Sequence, residues 1–63
     1  MNTVEIAVSN GRQIVKDASR YRRHSDKRAK CVDNLRQVIG YLAENNADSE
    51  VLAEFSKALV TLS

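Results

Sequence analysis

The sequence predicts an all-α fold: a helical hairpin with a long first helix, joined to a second copy as a homodimeric helical bundle. Three observations predict it. Proline is absent and glycine occurs only at Gly11 and Gly40, so little interrupts a helix. Apolar residues recur at spacings of three and four, the period of one helix face. The chain has 63 residues and one cysteine, so it holds no internal disulfide. Below roughly 70–80 residues a lone core rarely supplies more than about 3–5 kcal/mol. A partner chain is the remaining source of buried surface.

Residues 1–63 read as one helical domain, with one long or kinked helix, or more than one, over about 3–44 and a last helix over about 49–62. The C-terminal half is the clearest. Val32, Leu35, Val38, Ile39 and Leu42 form one face. Asn45-Asn46 then ends the pattern, because Asn tolerates left-handed backbone angles. Asp48 or Ser49 caps the next helix by accepting from its free N–H groups. Val51, Leu52, Phe55, Leu59 and Leu62 form its apolar face, with Glu50 in the first turn where the helix dipole favours negative charge.

The middle keeps one rhythm through Ile14, Ala18, Tyr21, Ser25, Arg28, Val32, Leu35, Ile39 and Leu42. With neither Gly nor Pro there, the expectation is a continuous helix over about 11–44, roughly 50 Å long at 1.5 Å per residue. The rival is a break at His24-Ser25-Asp26, with Ser25 or Asp26 capping a new helix. At the N-terminus, Val4, Ile6 and Val8 alternate like a strand. A lone strand has no partner here, so a helix capped by Asn2 or Thr3 is expected. Gly11 would weaken it by about 1 kcal/mol relative to Ala.

Charge divides the chain. Residues 12–36 carry nine Lys or Arg against Asp17, Asp26 and Asp33, while residues 44–57 carry Glu44, Asp48, Glu50 and Glu54 against Lys57. On a continuous helix, Arg12, Lys16, Arg20, Arg23, Lys27 and Lys30 fall within about 80° of one another and run for about 27 Å. This basic stripe has three readings: a solvated face, a dock for an acidic protein, or a phosphate-binding face. Tyr21 sits among the arginines and offers a ring that can stack on a base, yet it also lies in the apolar row. Glu50 and Glu54 near the start of the last helix would repel phosphates, which argues against a recognition helix there.

No catalytic constellation is visible. One histidine, His24, and one cysteine, Cys31, cannot supply the usual zinc sets or a nucleophile with its base. No Gly-rich phosphate loop exists. No cofactor, metal or small-molecule substrate is expected. No apolar run approaches the roughly 20 residues that span a bilayer. The N-terminus lacks a secretory signal pattern, so a cytoplasmic location is expected. Ser25 and Arg28 interrupt the apolar row, either to fix register in a seam or because the helix leaves the core there. The expected dimer core is Val32, Leu35, Ile39, Leu42, Phe55, Leu59 and Leu62, since one hairpin leaves each helix a bare apolar flank.

The opening MNTVEIAVSNGRQIVKDASRYRR, the basic helical middle and the length carry a resemblance over all 63 residues. The chain resembles a family of small early proteins of lambdoid bacteriophages, encoded between the exonuclease and excisionase genes. The resemblance implies an accessory regulator that biases lytic against lysogenic development in the host bacterial cytoplasm. It carries over no functional residues, because no family motif falls at these positions. The partner is then a host or phage regulatory protein, or nucleic acid.

Overall fold

The computed structural model describes residues 2–63. Three helices follow one another: α1 over Thr3–Ala18, α2 over Asp26–Glu44 and α3 over Ser49–Leu62. The fold is all-α, and no strand occurs among the described residues. Each helix start has a side-chain cap, which satisfies an otherwise orphaned N–H group. The Asn2 side chain accepts from Glu5 N at 2.8 Å, Ser25 Oγ from Arg28 N at 3.2 Å and Asp48 Oδ1 from Glu50 N at 3.1 Å. Beyond Glu44 the chain passes the cap Asn45 and turns at Asn46, whose φ is 55°. There Ala47 N donates to Leu42 O at 3.0 Å and Asn46 N to Ala43 O at 3.3 Å, the paired bonds of a Schellman ending.

The long first helix is corrected: it is broken between α1 and α2. His24 takes a left-handed φ of 69° and Ser25 caps the new helix. The break turns α1 back along α2. Gly11 of α1 comes against Val38 of α2, and Arg28 at the start of α2 reaches Leu62 at the end of α3. α1 and α3 therefore both run antiparallel to α2. The longest dimension is 32 Å, well short of the roughly 50 Å of a continuous helix. Folding back hides the apolar face of α1 within the same chain, which a straight helix leaves in water. Hydrogen bonds satisfy much of the linker backbone, including Arg20 N to Asp17 O at 3.0 Å, Tyr21 N to Ala18 O at 3.1 Å and Ser25 N to Arg22 O at 3.1 Å.

The interior holds Ala18, Val32, Leu35, Leu42, Phe55 and Leu62. Thus five of the seven residues assigned to a dimer core are buried by the chain's own helices. Ile39 and Leu59 pack half-buried against them. A two-helix hairpin has a bare flank, and α1 covers that flank.

Gly11 shows why α1 can lie so close. A Cβ added there would sit 2.8 Å from Phe55 Cζ and 3.2 Å from Val38 Cγ1. The missing side chain is the seat of the Phe55 ring. Gly40 is the opposite case: it is exposed, and an added Cβ meets nothing within 4 Å. We expect Gly40→Ala to stabilise the fold by about 1 kcal/mol in urea unfolding, through helix propensity alone. Destabilisation would show that this face of α2 is in contact with something.

Candidate interaction surface at the basic end

The helix directions sort the charges by end. Lys16 lies in the last turn of α1, Arg20, Arg22 and Arg23 lie in the linker over 19–25, and Lys27, Arg28 and Lys30 lie in the first turns of α2. These seven cations share one end of the molecule with Asp17 and Asp26. The opposite end carries Glu5, Glu44, Asp48 and Glu50, and residues 1–11 and 37–56 contain no Lys or Arg. The chain is therefore charge-polarised along its long axis.

This gathers five of the six stripe residues, Lys16, Arg20, Arg23, Lys27 and Lys30, but as an end cluster and not as a row. The sixth, Arg12, leaves the group. Its Nε lies 3.2 Å from Glu54 Oε2 and its Nη2 3.3 Å from Oε1, a two-pronged bridge between α1 and α3. Among the described residues, the other ion pair is Arg36 with Asp33 at 3.4 Å. The cations of the basic end are thus free of carboxylate partners among the described residues.

The guanidinium of Arg12 holds the Glu54 carboxyl below the usual glutamate range, chiefly through the hydrogen bond, with burial opposing and charge attraction adding. A carboxyl with a lowered folded-state pKa stabilises the fold above its unfolded pKa, and loses that contribution as pH falls through the lowered value. We expect Glu54→Gln to be less stable than wild type at neutral pH. The gap should close on acidification, and added salt should narrow it because both side chains are exposed. A gap that persists in acid would mean that shape, not charge, matters at this site.

Two members of the basic end, Arg22 and Arg28, lie outside the stripe that the sequence predicts. Arg22 points away from the stripe on a continuous helix and joins the cluster only because residue 22 lies in the linker. In the sequence, Arg28 interrupts the apolar row. It is half-buried, with Nε donating to Leu62 O at 3.2 Å and Nη1 to Tyr21 O at 3.2 Å. Its backbone N–H is the one capped by Ser25. The exposed Tyr21 ring lies with Lys27 Nζ 5.7 Å from its centroid, within cation–π range. The signal for all of this was Ser25 followed by Asp26, a capping pattern inside the apolar rhythm.

Among the described residues no group of His, Cys, Asp and Glu side chains is placed to hold a metal ion. No helix of the described residues is long and apolar enough to cross a membrane. The fold and its basic end define a class: a charge-polarised three-helix chain with an arginine-rich linker. No family model matches the chain, and neither a curated protein nor a solved structure is found similar to it.

Proposed function

We propose that this chain is a non-enzymatic regulatory protein that docks its basic end on another protein. The observation that carries the reading is the segregation of charge, with seven cations at one end, free of carboxylate partners among the described residues. Such an end steers an acidic partner and fixes its orientation. With the phage resemblance, the partner is a host or phage regulator met in the bacterial cytoplasm, and the outcome is a bias between lytic and lysogenic development. The test compares lysogen frequency in infected cells carrying the chain or its Arg20/Arg23/Lys27→Ala variant. A shift with the wild type and none with the variant supports the reading. Equal shifts remove the basic end from it.

Nucleic acid is the second reading, favoured by exposed Tyr21 among three arginines. Affinity for nucleic acid falls steeply with salt, and each Lys or Arg substitution weakens it about evenly. Docking on a protein concentrates the loss in a few residues.

Self-association belongs to the proposal as well. The accessible surface is 4573 Å², against roughly 4,100 Å² for a folded monomer of this mass. Val60 is 79% exposed, and Ile6 and Tyr41 also face outward. Sedimentation velocity at micromolar concentration should give the mass of two chains. A single species at 7.1 kDa would remove this part.

A further inference from the structure

Resting on the proposed docking role, we propose that the basic end receives an acidic peptide segment, and that Arg28 is the positioning residue that holds the receiving linker in shape. Arg28 stands between three elements. It donates to Tyr21 O in the linker and to Leu62 O at the end of α3, while its own N–H is capped by Ser25 at the linker's end. A carbonyl of the last turn of α3 has no partner within the helix, and the Arg28 Nε supplies one. One half-buried side chain thus ties the basic linker to the bundle.

The consequence is preorganisation. Seven residues with three arginines would sample many shapes if free, and a partner would have to order them on binding. Held by Arg28 at Tyr21 O and by the turn bonds from Arg20 N to Asp17 O and from Ser25 N to Arg22 O, the linker backbone already presents its three arginines. Arginine forks in a fixed frame match carboxylates in two-pronged fashion. The partner class follows from the shape of the cluster. A duplex is served by a row that meets successive phosphates, and the break in the first helix abolishes that row. Cations gathered on one short linker and one helix start suit a short run of carboxylates on a peptide, a recurring mode for arginine clusters.

The test uses the full chain and a fluorescein-labelled oligoglutamate peptide, read by anisotropy at physiological salt, with a duplex DNA of equal charge alongside. Arg28→Lys keeps the charge but cannot bridge both carbonyls. Lys30→Met removes a charge and leaves the linker contacts intact. We expect Arg28→Lys to weaken peptide binding about tenfold and Lys30→Met only about twofold. Amide hydrogen exchange over residues 21–25 should speed up in Arg28→Lys and stay unchanged in Lys30→Met. In the wild type, where no substitution is needed, the Arg28 Nε–H resonance should exchange slowly with water.

A fast-exchanging Arg28 Nε–H, or peptide binding by Arg28→Lys equal to wild type, overturns the positioning role and leaves the docking surface standing. A wild type that prefers the duplex overturns the partner class. A wild type that binds neither probe overturns the docking surface itself.

Discussion

Phe55→Ala should unfold the chain. Removing a buried phenylalanine costs about 3–5 kcal/mol, from lost transfer energy and the cavity left behind. A core of this size supplies about the same amount in total. Phe55 is 1% exposed, and its ring rests on the bare backbone of Gly11, so it holds α3 against α1 as well as filling the interior. Far-UV circular dichroism should show most of the helical signal lost at room temperature. The control is Val60→Ala on the same helix, where the side chain is 79% exposed and the change should stay within about 0.5 kcal/mol. Native helicity in Phe55→Ala would mean that the three helices do not depend on this contact.

Gly11→Val should be the second large loss, and its direction runs against local propensity. In an isolated helix, replacing glycine by almost any other residue helps. Here the first added carbon already lies 2.8 Å from the Phe55 ring and 3.2 Å from Val38, and the branch has nowhere to go. Overpacking of this kind costs about 1–3 kcal/mol, and valine should fall at the upper end. Urea midpoints for Gly11→Val and Gly40→Ala should therefore move in opposite directions. If Gly11→Val is neutral, α1 does not lie against Phe55.

Local chemistry was the most legible part of this sequence. Asn2, Asp48 and Asn46 each act at a helix end where their side chains or backbone preferences place them, and the apolar faces of α2 and α3 supply most of the core. The helix break was harder to read for a geometric reason. The linker over 19–25 has seven residues. Seven steps of 100° make two full turns less about 20°, so the apolar rhythm enters α2 in nearly the phase in which it leaves α1. A continuous helix and a folded hairpin write the same pattern. Ser25 and Asp26 were the tell, and burial of the α1 face in the same chain decides the outcome.

Gly11 and Arg28 were not legible because their partners are remote in sequence. Nothing near Gly11 announces that Phe55 needs its space, and nothing near Arg28 announces a free carbonyl at Leu62. The basic residues were legible as a group and not as a shape. Their number survives the break, but their row does not.

The chain folds back at the linker, and that turn converts a row of cations into a cluster at one end. Spin labels at Ser9 and Arg36, both exposed, measure this fold-back. The labelled chain, in a Cys31→Ser background, is diluted into excess unlabelled chain so that only distances within one chain register. Packed neighbouring helices have axes about 8–10 Å apart, which puts the labels within roughly 25 Å. A distance near 40 Å, the span of a continuous helix between these positions at about 1.5 Å per residue, would contradict the fold and restore the phosphate-tracking row.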